Sequence, residues 1–176
     1  MEVSPTLINF FMLLLPPLFV LITAWVLIKK FLEREQKLQM IQLKMATQKD
    51  LLPLRLQAYE RLTIYLERIS PNVIMVNLYE PSATVVEFQS ALIESIRTEF
   101  EHNFAQQIYV SAPIWTIVRN SKEEVVRLIN SAASTLDPDA PSYQLSKKVF
   151  DSMIESADFP TQRAITIVKN EVSQLF

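Results

Sequence analysis

The stretch LINFFMLLLPPLFVLITAWVLI, which begins at Leu7 and ends at Ile28, decides the architecture of this chain. Its 22 residues include no charged side chain, and Lys29 and Lys30 follow at once. An α-helix of that length rises about 33 Å, which matches the roughly 30 Å hydrocarbon core of a bilayer. The run is also longer than a core helix of a small domain usually shows. The sequence therefore predicts a single membrane span, with the lipid bilayer as its first partner.

A cleaved signal peptide is the alternative interpretation of this run. It would need a basic leading segment, a shorter apolar core and small residues at a cleavage site. The leading residues MEVSPT contain no Lys or Arg, and the residues after the run are Lys, Lys, Phe, Leu and Glu. We therefore expect a retained anchor.

The charges beside the span predict its orientation. No Lys or Arg precedes it, whereas four follow within ten residues: Lys29, Lys30, Arg34 and Lys37. Lys and Arg close to a span stay on the cytoplasmic side. The sequence predicts a single-pass protein of the inner (cytoplasmic) membrane with its N-terminus outside and its C-terminal domain in the cytoplasm.

Two prolines, Pro16 and Pro17, lie in the middle of the predicted span. Their missing N–H groups and their rings favour a kink. The alternative is a docking site for another membrane helix, with Trp25 as a further contact. The sequence leaves both open.

Composition excludes several classes of function. The chain has no glycine and no cysteine but ten prolines. Phosphate loops, dinucleotide folds and nucleophile elbows need glycine, and thiolate catalysis, iron–sulfur clusters and cysteine zinc sites need cysteine. Residues 71–176 carry eight basic and thirteen acidic side chains, which argues against nucleic-acid binding. We expect no cofactor, and no small-molecule substrate is evident.

The remaining pattern predicts an all-α protein in three parts: tail and span at 1–28, a basic helical neck at 29–50, and a cytoplasmic bundle of about five helices at 51–176. In the neck, Phe31, Leu38, Met45 and Leu52 fall seven apart, but polar residues occupy the alternate seam positions. A coiled coil needs about three or four clean heptads, and this pattern has fewer. A self-associating neck and a solvated linker helix therefore both remain possible.

Helix signals divide the bundle. Asp50 and Pro53 mark a kink or a fresh start, and Pro71 ends the helix that follows. Thr84 with Glu87 forms a capping box. Later helices are predicted at 111–134, 143–156 and from 160. The predicted apolar faces include Leu54 in the helix that Pro71 ends, Phe104 in the helix that Thr84 caps, and Trp115 in the helix from 111. The conformation between Asn72 and Glu80 stays open.

The richest polar cluster lies near residue 100. Glu94, Arg97, Glu101 and His102 are the only constellation from which an enzyme could be built. Glu99 and His102 have the Glu-x-x-His spacing of di-iron bundles, but such a site needs a second histidine, which the chain lacks. We therefore expect no metal site.

Two other interpretations of this cluster remain. The first is a plain helix end, with Arg97 paired to Glu101 and His102 favoured by the helix dipole. The second is an interaction surface that also draws on neighbouring cations. Its candidate residues are Arg55, Tyr59, Arg61, Arg68, Arg97, Glu101 and His102.

The segments LRLQAYERLTIYLERISP (residues 54–71) and EFEHNFAQQIYVS (residues 99–111), with Trp115, carry a family resemblance. On them the chain resembles a family of small membrane-anchored proteins of Bacteroidota whose function is unknown. The resemblance implies an inner-membrane protein with one N-terminal span and a helical cytoplasmic domain, and it supplies no catalytic residue.

Three functional hypotheses follow. The leading one is a non-enzymatic, membrane-tethered helical adaptor, scaffold or accessory subunit of an inner-membrane protein complex. The alternative is a homo-oligomeric membrane scaffold that self-associates through span and neck. The third is an enzyme centred on Glu94, Arg97, Glu101 and His102.

Overall fold

The computed structural model describes the backbone of residues 5–156 and 159–174 and the side chains of residues 12–45, 48–155 and 159–174. These residues form six α-helices and no strand: α1 (Pro5–Arg68), α2 (Pro71–Asn77), α3 (Val85–Asn103), α4 (Ala112–Ala133), α5 (Tyr143–Ser156) and α6 (Pro160–Ser173). A 3₁₀ turn, Phe104–Ile108, follows α3. The all-α prediction is confirmed, and the stretch left open between Asn72 and Glu80 begins in the short helix α2, which ends at Asn77.

Helix α1 is longer than the sequence predicts. It continues through Asp50 and Pro53, so the prediction of a fresh start there is wrong. Pro53 removes one backbone donor, but its surroundings are rich in Leu, Gln and Lys, which favour helix, and the position is exposed, so water can reach the freed carbonyl. The helix also continues through Pro16 and Pro17, where the kink stays a prediction.

The chain divides into two compact units, Met1–Leu51 and Leu52–Phe176. In the first unit every described side chain is exposed except that of Ala24, which is half-buried. The Thr23 hydroxyl donates to the Phe19 carbonyl oxygen at 2.7 Å, which satisfies the hydroxyl inside its own helix. The Lys29 ammonium lies 5.3 Å from the centre of the Trp25 ring, a cation–π contact at the end of the apolar run.

The second unit contains the hydrophobic core. Helix α4 is central and packs against α3, α5 and α6. All six helices contribute to the largest fully buried side chains, and Ile69, which follows α1, joins them. They are Leu62, Tyr65, Leu66, Ile69, Met75, Phe88, Leu92, Ile96, Ile114, Ile129, Leu145 and Ile165. The apolar spacing of each helix thus predicts most of the face that it buries.

Two residues predicted in the core are exposed. Leu54 lies one turn before Ala58, the first fully buried residue of α1, and so has no neighbour to cover it. Phe104 follows the end of α3 and belongs to the 3₁₀ turn, whose tighter winding moves the side chain off the buried stripe. Trp115 is half-buried and stacks on Phe100, with ring centres 5.4 Å apart.

The start of α3 is capped from two sides. Thr84 and Glu87 form the predicted capping box: the Glu87 N–H donates to the Thr84 hydroxyl at 3.3 Å, and the Thr84 N–H donates to a Glu87 carboxylate oxygen at 2.9 Å. The N–H groups of Val85 and Val86 donate to the carbonyls of Ala140 and Pro138. A proline-rich turn therefore satisfies the backbone donors that the helix leaves free.

The Thr84 backbone and hydroxyl donors hold the pKa of the Glu87 carboxyl below its ordinary value. Because this pKa is lowered on folding, the stabilisation is fully present above the unfolded pKa of about 4.3 and is lost as the pH falls through the folded value.

We expect the substitution Thr84→Ala to lower the free energy of unfolding by about 1 kcal/mol, because it removes the side-chain acceptor for the Glu87 N–H. Urea unfolding of the full chain in detergent, followed by circular dichroism, measures this. Thr166→Ala is the control, since Thr166 is exposed and its hydroxyl only donates to Gln162 one turn back in its own helix. Equal losses in the two variants would contradict the capping role.

Candidate functional site

The residues predicted as an interaction surface separate into an internal network and an exposed groove. Tyr59 belongs to the network, because it is only 2% exposed. Its hydroxyl donates to one oxygen of the Glu171 carboxylate, and the Ser111 hydroxyl donates to the other at 2.7 Å. Ser111 also caps α4 by accepting from the Ile114 N–H. Tyr59 thus joins α1 to α6 and to the start of α4, and its prediction as a surface residue is wrong.

Arg55 supports the same network. Its Nη2 donates to the Tyr59 hydroxyl at 3.4 Å, and its Nε donates to the carbonyl oxygen of Tyr109 at 3.2 Å. Burial raises the pKa of Tyr59, and its hydrogen bond to Glu171 raises it further. The phenol is therefore protonated at neutral pH and acts as a donor. Arg55 is half-buried and engaged inside the domain, which makes it a structural residue.

We expect Tyr59→Phe to lower the free energy of unfolding by about 1–2 kcal/mol, because the Glu171 carboxylate loses one of its two donors in a half-buried place. Chemical denaturation of the full chain measures it. The matched control is Tyr143→Phe, since Tyr143 is exposed. Equal stability of the Tyr59→Phe and Tyr143→Phe chains would show that the network does not stabilise the fold.

The exposed groove, which we call the α1–α3 groove, collects three of the predicted residues. Arg61 and Arg68 of α1 face His102 of α3 across a cavity of about 270 Å³. Ile64, Tyr65, Glu99 and Asn103 complete its lining. Sequence patterning predicts the residue types on each helix, and the packing of α1 against α3 brings them to one place.

The charges of the groove are unevenly paired. Arg68 donates from Nη1 to Oε1 of Glu99 at 3.0 Å. Among the described residues, the side chains of Arg61 and His102 make no ion pair or hydrogen bond, and Glu99 is the one carboxylate in the lining. The groove therefore presents more donors than its own acceptor can satisfy.

Arg97 and Glu101 lie outside the groove lining, although the sequence groups them with His102. Both side chains are exposed, as are those of Glu94 and His102. Arg97 pairs with Glu94 at 3.9 Å along its own helix rather than with Glu101. The structure thus does not bring these four residues together in one buried, enclosed pocket. Among the described residues, no group of three or more His, Asp or Glu side chains could hold a metal ion.

A larger cleft of about 860 Å³ lies among α4, α5 and α6, and sequence reasoning missed it. Arg127, Lys148 and Arg163 line it, and Arg163 pairs with Glu124 at 2.6 Å. These cations come from three separate helices and carry no spacing signal, and Lys148 reads in the sequence as an ordinary solvated residue.

The residues that flank the predicted span are all exposed. They comprise Lys29, Lys30, Arg34 and Lys37. By length and composition, the described residues include one helix that is apolar enough to cross a membrane, and it lies near the N-terminus within α1.

These features define an all-α protein with one long apolar N-terminal helix and a helical second unit. The chain belongs to a family described as "Family of unknown function (DUF7935)", whose model matches residues 5–175. No curated protein and no solved structure matches the chain. The family match covers the apolar helix together with the helical unit, so a single family model spans both.

Proposed function

We propose that the chain is a membrane-tethered helical adaptor or accessory subunit of a protein complex in the bacterial inner membrane. The observation that carries this proposal is α1, whose apolar stretch is exposed at every described residue of the span except the half-buried Ala24. Exposed apolar surface on this scale needs lipid or protein to cover it. The same helix later supplies Leu62, Tyr65 and Leu66 to the core of the second unit.

The second unit supports a binding role rather than a catalytic one. Its best-placed polar residues form an open groove with unpaired cations, and the four residues considered for catalysis are exposed. Arg is enriched at protein interfaces, where its planar fork pairs with carboxylates. We therefore place the partner-binding surface at the α1–α3 groove.

Topology is testable with single cysteines, because the natural sequence has none. We expect Ser4→Cys to react with a membrane-impermeant maleimide in intact spheroplasts and Ser173→Cys to react only after lysis. This follows from the cations at Lys29 and Lys30, which stay in the cytoplasm. Labelling of Ser173→Cys in intact spheroplasts would reverse the proposed orientation.

A homo-oligomeric scaffold is the second candidate, and one observation favours it. The neck residues Phe31, Leu38, Ile41 and Met45 are all exposed, so their apolar stripe has no cover within the described chain. Sedimentation of the full chain, compared with Leu38→Gln and Met45→Gln together, tests this. A dimer that the double variant dissociates supports the scaffold, and a monomeric full chain excludes it.

A further inference from the structure

We propose that the α1–α3 groove binds an acidic, amphipathic segment of a partner protein through Arg61, Arg68 and His102. This inference rests on the proposed adaptor function and names the chemistry that the adaptor recognises. It is argued from the charge of the groove and from the exposed apolar side chains in and after it.

The charge of the groove favours a carboxylate ligand. The side chains of Arg61 and His102 line it without an ion pair or hydrogen bond among the described residues, and Glu99 is already engaged by Arg68 at 3.0 Å. Glu67 and Glu101 are exposed and do not line the groove. An Asp or Glu side chain of a partner would supply the acceptors that the groove lacks, and Arg binds a carboxylate with two parallel hydrogen bonds.

Tyr65 forms part of the wall of the groove and is fully buried. Its hydroxyl oxygen is closed off from solvent and has no hydrogen-bond partner among the described residues. Burial raises the pKa of Tyr65, and the Glu123 and Glu99 carboxylates raise it further, so the hydroxyl keeps its proton. The polar contacts to a ligand therefore come from Arg61, Arg68 and His102.

Apolar side chains are exposed in the groove and in the segment that follows it in the chain. Ile64 lines the groove and is 45% exposed, and after Asn103 the chain presents Phe104 at 53% and Ile108 at 76% exposure. A ligand that only carried negative charge would leave this surface uncovered. A segment with acidic residues on one face and apolar residues on another fits both features, because apolar and aromatic side chains next to Arg are the usual anchors of an interface.

Fluorescence anisotropy with the full chain in nanodiscs of neutral phosphatidylcholine tests the inference. The probes are two labelled amphipathic peptides of about four helical turns that share their Leu positions and carry either Glu or Gln elsewhere. We expect the Glu peptide to bind about ten-fold more tightly than the Gln peptide, since two exposed ion pairs that contribute a few-fold each give a ratio of this size. Equal binding, or no binding of either peptide, would overturn the proposal.

Variants locate the site. Arg61→Gln should weaken binding of the Glu peptide by about five-fold, whereas Lys147→Gln, which removes an exposed cation of α5, should not. Glu99→Gln should strengthen binding, because it removes the groove's own carboxylate and frees Arg68, and a gain cannot arise from misfolding. An unchanged Arg61→Gln variant, an equal loss in Lys147→Gln, or weaker binding by Glu99→Gln each contradicts the proposal.

Two further results separate this inference from the adaptor function. If the peptides fail but a second protein co-purifies in fixed ratio with the Arg61→Gln chain, only the groove assignment is wrong. If the Arg61→Gln substitution instead dissociates a dimer of the chain in sedimentation, the occupant is a second copy and the proposed partner is wrong.

Discussion

Replacing Leu18 and Ile22 together with arginine is expected to remove the chain from the membrane. Both side chains are exposed near the centre of the apolar run. An arginine at the centre of a membrane helix costs about 2.5–3.5 kcal/mol on insertion scales, so two cost about 5–7 kcal/mol. This cost is comparable to the whole free energy that a marginally hydrophobic span gains on insertion into the membrane. The measurement is the fraction of the protein that stays in the pellet after alkaline carbonate washing.

The matched control places the same two charges in the neck. Gln36→Arg with Gln39→Arg adds two arginines at exposed positions beyond the run, where the flanking basic residues already lie. This variant should remain in the pellet. If the Leu18→Arg, Ile22→Arg chain also resists carbonate, residues 7–28 do not form the anchor.

Replacing Phe88 with alanine is expected to cause the largest loss of folding stability in the second unit. Phe88 is 1% exposed and meets the Tyr79 ring edge-on, with ring centres 6.3 Å apart. Truncating a buried Phe to Ala costs about 3–5 kcal/mol, against a total of about 5–15 kcal/mol for a domain. Urea unfolding of the full chain in detergent, followed by circular dichroism, should show a midpoint far below that of the natural chain.

Phe104→Ala is the control for Phe88→Ala, because it deletes the same side chain from an exposed position. Phe104 meets Phe100 and Trp115 only edge-on, so we expect a loss of about 1 kcal/mol. A Phe104→Ala chain that loses as much stability as the Phe88→Ala chain would mean that the core is centred elsewhere.

Local signals predicted much of the fold. Thr84 and Glu87 form their capping box as expected, and Ser111 caps α4, because each cap depends on residues within one turn of helix. The errors fall where local pattern and tertiary packing disagree. Pro53 marks a kink or a fresh start in the sequence, and α1 continues through it, which rules out the fresh start. Phe104 fits the apolar stripe of α3, but the 3₁₀ turn rotates it outward.

The site was less predictable, because its geometry depends on contacts between distant parts of the chain. Nothing in the sequence near Tyr59 shows that its hydroxyl will meet Glu171, 112 positions away. Arg61 and His102 are both recognisable as candidate binding residues, whereas their meeting in one groove follows only from the packing of α1 and α3. The sequence thus provides the residue types, and the fold decides which of them form internal hydrogen bonds and which stay exposed.

Purification of the full chain from its native membrane, after mild cross-linking and extraction into detergent, tests the central claim most directly. Light scattering of the purified material gives its mass, and mass spectrometry identifies its components. A membrane-tethered adaptor predicts a complex in which the chain and a second protein occur in fixed ratio. Recovery of the chain alone, as a monomer, would contradict the account.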